Sequence, residues 1–340
     1  MLRRDQGCIM VKISVIIPVY NTKKSVLMRC LDSIECPQNC KVECVIVFDG
    51  QPEFDVAFLQ DAYVDTDIRY IIAEHGGVSH ARNVGLDHAS GEYVVFIDVD
   101  DVLPKEGLSN LFDVIDNAEL VVGSFLKVQG KQESLIRPSI DAAISTPAGV
   151  LEYQLGVLLP DTGNGLLWNK MYSMQCINEH AIRFNESISV GEDSDFVYRY
   201  LIHVHTIRVT SKPVYTYIRM SNTAVTAFRA SYEQRIFRSM EIMRENVTRQ
   251  QLRDWSYFST YYTYHILLII VHYIFNPNNQ WSVAKEKEEY EVLWRIAVNE
   301  INNCKKKEFN IAKRITIFCF RHRFFVLNKM IAWIRNRQIG

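Results

Sequence analysis

The sequence predicts an α/β protein: a mostly parallel sheet covered by helices, followed by a mainly helical region. Three observations carry this reading. Strand-like and helix-like patterns alternate over residues 1–125. Polar residues suited to binding follow the strands directly. Beyond about residue 230 the pattern turns helical, aromatic and basic. Strands alternating with helices pair in parallel, and such sheets bind ligands beyond the carboxyl ends of their strands.

Each element follows from its residues. Residues 13–18 form a β-branched run that Pro18 ends. Over 25–34, Val26, Leu27, Cys30, Leu31 and Ile34 recur at helical spacing. Residues 42–48 read as a second strand closed by Asp49-Gly50, 55–63 as a helix, and 68–73 as a third strand. A helix over 78–89 stops before Gly91, a fourth strand covers 93–97, and 120–123 begin another. Residues 145–215 mix short helices and strands. The chain therefore divides into 10–230, with parts 10–125 and 126–230, and a helical, basic region 231–340.

With 340 residues, 48% hydrophobic and 23% charged, the chain is long enough for about two packed domains, and disordered, collagen-like and disulfide-scaffold classes are excluded. The formal net charge of −1 hides two unlike parts. Residues 1–230 hold 20 Lys and Arg against 29 Asp and Glu, whereas 231–340 hold 18 against 10. The basic part suggests an acidic partner. Cys30, Cys36, Cys40 and Cys44 lack the paired spacing of zinc sites and read as free thiols in a reducing compartment. The apolar run over 261–275 is interrupted by His265 and His272 and falls short of the roughly 20 residues that cross a bilayer. With no secretory signal in view, a cytoplasmic location is expected.

The strongest chemical signal is Phe96-Ile97-Asp98-Val99-Asp100-Asp101, an apolar strand running into three carboxylates. Like charges this close persist where a cation or several donors neutralise them. Carboxylates beside open water positions suit Mg²⁺ or Mn²⁺, which bridges protein to diphosphate. Two further signals are Ser14-Val15-Ile16-Ile17-Pro18-Val19-Tyr20-Asn21 and Gly76-Gly77-Val78-Ser79-His80-Ala81-Arg82-Asn83. A fourth is Gly191-Glu192-Asp193-Ser194-Asp195, where Asp193 or Ser194 suits the cap of a helix over 195–202.

Taken together and in this order, the four segments resemble the bacterial family 2 glycosyltransferases. That resemblance implies a GT-A fold: a Rossmann-like nucleotide-sugar-binding domain with an attached acceptor region. It implies that Pro18, Tyr20, Asn21 and Asp49 surround the nucleotide base, although Phe48 and Gln51 depart from the family's Asp-Asp-Gly-Ser pattern. Arg82 and Asn83 would hold the donor, Asp98 and Val99 would meet the ribose or base, and Asp100, with Asp98, would hold Mn²⁺ or Mg²⁺. Asp193, with Glu192 as the second choice, would deprotonate the acceptor hydroxyl in an inverting displacement. Trp168, in Leu167-Trp168-Asn169-Lys170, would either stack on a sugar face or fill the core, and Arg219, before a mobile loop at Met220-Ser221, would either clamp the donor phosphates or stand as a surface arginine. The histidines His75, His80, His88, His203 and His205 lack metal-ligand spacing and read as structural or surface residues.

The expected activity is metal-dependent transfer of a sugar from a nucleoside diphosphate, expected to be UDP, to a hydroxyl of a glycan or lipid-linked glycan in surface polysaccharide synthesis. The alternatives are a catalytically inactive nucleotide-sugar-binding relative and a nucleotidyltransferase, which would want a Gly-rich basic loop where Pro18-Val19-Tyr20-Asn21 stands. Residues 305–340 hold ten Lys and Arg against Glu308, interleaved with apolar residues, and suit either an anionic membrane surface or a C-terminal helix packed on the protein with a solvated basic face. No nucleic-acid module is recognised.

Overall fold

A computed structural model describes residues 10–63, 67–219 and 231–339. The chain forms two compact units. The first comprises residues up to 153 together with 166–218, and the second comprises 154–165 together with 219–340. The sequence reading placed its boundary at 230; the units divide after Ile218, and the short stretch 154–165 joins the second.

The first unit opens with β1 (Val11–Val19), α1 (Lys24–Asp32), β2 (Cys40–Asp49), α2 (Phe58–Ala62), β3 (Asp67–Ala73), α3 (Val78–His88) and β4 (Tyr93–Phe96). It continues with α4 (Gly107–Phe112), β5 (Leu120–Gln129), β6 (Gln132–Ile136) and α5 (Pro147–Gly156), whose last turn runs into the second unit. It ends with β7 (Lys170–Ser173), α6 (Met174–Glu179), α7 (Glu192–Leu201) and β8 (Ile207–Ile218).

The sheet has eight strands in the order β3-β2-β1-β4-β7-β5-β6, with β8 pairing β5. Strands β3, β2, β1 and β4 are parallel, and β7 runs antiparallel to both β4 and β5. The β-branched runs predicted as strands are the central ones, because Val15, Ile16, Ile17, Val45, Ile46 and Val47 are buried on both faces of the sheet. Strand β1 passes through Pro18 to Val19 instead of stopping there. Its pairing with β4 ends at Ile16 and Phe96, so the amide that Pro18 lacks would have had no strand partner on that side. The chain turns from β1 to β2 and β3 on one side and to β4 on the other. The carboxyl ends of β1 and β4 therefore flank a topological switch point, where a crevice forms. Gly85 lets α3 lie close on β1, since a Cβ there would sit 2.4 Å from the Ile16 Cγ2.

The second unit consists of helices α8 (Tyr232–Arg249), α9 (Ser256–Ile269), α10 (Val283–Asn303), α11 (Ile311–Arg321) and α12 (Phe325–Ile339), among its described residues. A π-helical turn, Ile270–Ile274, extends α9, and a 3₁₀ turn, Lys306–Glu308, precedes α11. Buried Tyr290, Leu293, Phe309 and Phe320 are among its core residues, and Lys313 Nζ is ion-paired to Asp161 Oδ2 at 2.6 Å. Among the described residues, no helix is long and apolar enough to cross a membrane.

Candidate active site

The residues that follow the strands meet around one buried arginine. Gly77, at φ +88°, turns the chain into α3, and Arg82 stands one turn further on. Its guanidinium is 3% exposed. Nη2 donates to Asp98 Oδ1 at 2.9 Å, and Nη1 donates to Asp193 Oδ1 at 2.7 Å and lies 3.9 Å from Glu192 Oε1. The carboxylate beyond β4 and the carboxylates opening α7 are thus gathered on one cation. Burial opposes the charge of Arg82, but Asp193, Asp98 and Glu192 more than offset it and hold its pKa above the ordinary value. Burial also pushes the Asp193 carboxyl up; Glu192 and Asp98 add to this and Arg82 opposes it. Arg82 Nε and Ser79 Oγ, both buried, have no hydrogen-bond partner among the described residues, as in sites that water or a ligand completes.

The turn after β4 is held from three directions. The Asp98 N–H donates to the Tyr215 hydroxyl at 3.1 Å, which donates onward to Asp101 Oδ2 at 2.8 Å. Asp101 Oδ1 accepts from the Ile218 N–H at 2.7 Å. Arg29 Nη2, from α1, donates to the Asp100 carbonyl at 2.6 Å. Asp101 is 1% exposed, and burial pushes its carboxyl up to about 7. Asp101 therefore shapes the turn from below. Asp100, in contrast, is exposed, and its carboxyl is also raised, first by desolvation from the surrounding chain and then by the Asp98 charge. Val99 is half-buried and packs on the apolar core.

For a divalent cation, Asp100 is the fitting ligand. Its carboxylate is exposed, and Mg²⁺ and Mn²⁺ bind through one or two carboxylates plus phosphate and water. Asp98 has one oxygen committed to Arg82. Among the described residues no group of three His, Cys, Asp or Glu side chains is placed to hold a metal, so an all-protein cage is absent there.

Several expected donor contacts are spent inside the protein. Both oxygens of Asp49 are engaged: Oδ1 accepts from the Gly76 N–H at 2.7 Å, and Oδ2 accepts from the Gly77 N–H at 3.0 Å and lies 2.9 Å from His75 Nδ1. Asp49 builds the turn into α3. Asn83 donates to the Phe184 carbonyl at 3.0 Å and accepts from the Phe184 N–H at 2.7 Å, so it fastens a loop instead of a ligand. Trp168 is 6% exposed, stacked on Tyr215 with centroids 4.3 Å apart and edge-on to Phe125. It is a core residue, because its indole fills the space beneath β5 and β8. Pro18 is buried within β1. Helix α7 follows Gly191, at φ +76°, with no side-chain cap. The expected cap at Asp193 or Ser194 is not formed, and Asp193 turns to Arg82.

Tyr20, just past β1, keeps its ring 60% exposed and stacks on His75, with centroids 4.5 Å apart and planes within 16°. Asn21 follows in the left-handed region at φ +45°. His75, read from sequence as structural, thus belongs to this rim, and Tyr215 and Arg29 are supports that no local signal announces. Arg219, half-buried, directly follows β8; the Met220-Ser221 loop lies outside the described residues. At the opposite end of the sheet, before β4 and β5, lies a cavity of about 480 Å³ beside Glu119, Cys176 and the stacked His180 and His203. It is separate from the carboxylate cluster.

The model for "Glycosyl transferase family 2" matches residues 14–173, which hold Arg82, Asp98 and Asp100. The chain is 26% identical over 214 residues to the uncharacterized glycosyltransferase EpsJ of Bacillus subtilis, covering 62% of each protein. It is 38% identical over 117 residues to the glycosyltransferase GlyA of Streptococcus pneumoniae, covering 34% of this chain and 17% of GlyA. The chain thus spans under two thirds of the length of both relatives. The crystal structure of S. aureus TarS 1-349 in complex with UDP-GlcNAc superposes with a TM-score of 0.61 at 19% identity, covering 96% of this chain and 92% of that one. At that identity the likeness shows the fold. With its sheet topology and its cluster beyond β4, the chain has the GT-A fold, and its residues 14–173 match glycosyl transferase family 2.

Proposed function

We propose that the protein is an inverting, metal-dependent glycosyltransferase. It moves a sugar from a nucleoside diphosphate, UDP in the first instance, to a hydroxyl of a glycan or lipid-linked glycan during surface polymer assembly. The observation that carries this is Arg82, one buried guanidinium joining the carboxylate beyond β4 to the carboxylate opening α7. Donor-side and acceptor-side chemistry share that cation. Support for the class comes from the family match and from the fold shared with TarS, whose structure holds UDP-GlcNAc. A curated relative, TarS of Staphylococcus aureus, is a poly(ribitol-phosphate) beta-N-acetylglucosaminyltransferase, 26% identical over 212 residues.

In this reading the exposed Tyr20–His75 stack receives the base, because aromatic faces accept any base at modest cost. Asp100, with the second oxygen of Asp98, would hold Mn²⁺ or Mg²⁺, and the ion would supply positive charge for the diphosphate leaving group. Arg82 fixes the orientation of Asp193 through a charge-assisted bond. Asp193 takes the proton of the acceptor hydroxyl. Its raised pKa suits a base working near neutral pH, and a lone carboxylate needs no covalent intermediate. The alternative of an inactive binder predicts donor binding without turnover.

The test is thermal shift and calorimetry with a panel of nucleotide sugars, with and without Mn²⁺. At about 100 times Kd a ligand adds roughly 2.7 kcal/mol of stability. Stabilisation by a UDP-sugar that grows with Mn²⁺, accompanied by UDP release, is the expected result. No stabilisation by any nucleotide sugar would overturn the reading.

A further inference from the structure

The last two helices carry a surface that the donor site does not use. Each buries one face: Ile317 and Phe320 on α11, and Asn328 and Ala332 on α12, are at most 2% exposed. The opposite faces are apolar and bare. Ile311, Ile315 and Phe318 follow one another at helical spacing on α11, as do Met330, Trp333 and Ile334 on α12, all between 48% and 75% exposed. In the turn between the helices Phe324 is exposed and lies 6.1 Å from the Phe318 ring, so the apolar stripe of α11 continues into the turn.

Cations border this stripe. Residues 305–340 hold ten Lys and Arg against the single acid Glu308. Lys306, Lys307, Arg321 and Arg337 are exposed, and the Arg337 guanidinium lies 3.8 Å from the centre of the exposed Trp333 ring. A tryptophan and a cation side by side suit the headgroup level of a bilayer. A second copy of the chain would set one cationic face against another, which like-charge repulsion opposes.

We propose that the bare faces of α11 and α12 dock the protein on an anionic lipid bilayer, lying in the interface and not spanning it. The inference rests on this surface alone and stands apart from the donor-site reading. Removing residues 305–340 would uncover the core formed by Ile317, Phe320 and Ala332, so exposed point substitutions are the proper probe.

The experiment is co-sedimentation of the full chain with vesicles of phosphatidylcholine alone or mixed with phosphatidylglycerol, at low and high salt. The native protein should bind the mixed vesicles, leave them at high salt, and ignore phosphatidylcholine. Lys306→Gln and Lys307→Gln should each weaken binding about fivefold. Phe318→Ser with Trp333→Ser should weaken it by roughly tenfold or more. All variants should keep the native melting temperature. Equal binding to both vesicles, no binding, or native binding by the double variant each overturns the proposal. A dimer in sedimentation velocity that Trp333→Ser dissolves, without lipid binding, would assign the face to a second copy instead. The lipid and salt comparisons need no variant and read out even if one fails to fold.

Discussion

Replacing Asp193 by Asn separates chemistry from architecture at the centre of the site. The amide keeps an oxygen that can accept from Arg82 Nη1, now 2.7 Å from Asp193 Oδ1, so the arrangement around the 3% exposed guanidinium is retained. A hydrogen bond between two charges becomes one between a charge and a neutral amide, a loss of about 1 kcal/mol. Relief of the burial that pushes this carboxyl up offsets part of it. Glu192 and Asp98 still compensate the arginine. Stability should therefore change by less than about 1 kcal/mol, and UDP-sugar affinity should hold. The amide, however, takes no proton. Loss of general-base catalysis lowers turnover by about 10²–10⁴, or roughly 3–5 kcal/mol in the barrier. UDP release measured at saturating donor, beside urea denaturation and calorimetry of the same preparations, reads all three quantities. Turnover within about threefold of native, with fold and binding intact, would refute the base assignment and move it to Glu192.

Three other outcomes follow from the geometry. Arg82→Met leaves Asp98 and Asp193 without their cation and should cost about 3 kcal/mol in urea denaturation, toward the lower end for broken ion pairs because both carboxylates keep some solvent; a cost under about 1 kcal/mol would mean the cluster is loosely held. Trp168→Ala should cost about 3–5 kcal/mol of stability with donor affinity unchanged in the folded fraction, and the reverse pattern would restore a sugar-stacking role. Glu43, 1% exposed and bonded to Lys12, Ser14 and Ser90, has its carboxyl lowered to about 2: burial works against the charge, and these partners overcome it. Because the folded pKa lies below the unfolded value, its contribution, about 3 kcal/mol, is full above roughly pH 4.5 and fades as pH falls toward 2. The stability gap between native and Glu43→Gln protein should narrow over that window, and a gap independent of pH would contradict this.

The parallel half of the sheet was legible because its strands are β-branched runs that end in binding residues. Strand β7 was not, since Lys170-Met171-Tyr172-Ser173 shows no pattern of its own and is a strand only because β4 and β5 leave a gap for it. Asp98, Asp100 and Asp193 were readable as carboxylates in telling places. The ion pair that joins two of them was not: Arg82 and Asp193 are far apart in sequence, and only the fold brings the start of α7 within reach of the Arg82 side chain. Burial was the other blind spot. Trp168, Asn83 and Asp49 sit in motifs that suggest ligand contact, yet neighbours distant in sequence use up their surfaces. His75 showed the converse, a residue without a motif that Tyr20 recruits.

The antiparallel β7 also orders assembly. Strands β1 to β4 can pair once residues 11–96 exist, whereas the sheet beyond β4 stays open until β7 is made. Since α7 lies C-terminal to β7, the parallel half of the sheet is synthesised before Asp193, in keeping with domains that fold from the N-terminus during synthesis. Until Asp193 arrives, Arg82 and Asp98 face each other alone, so a nascent chain ending near residue 150 would be without the second carboxylate of the Arg82 cluster.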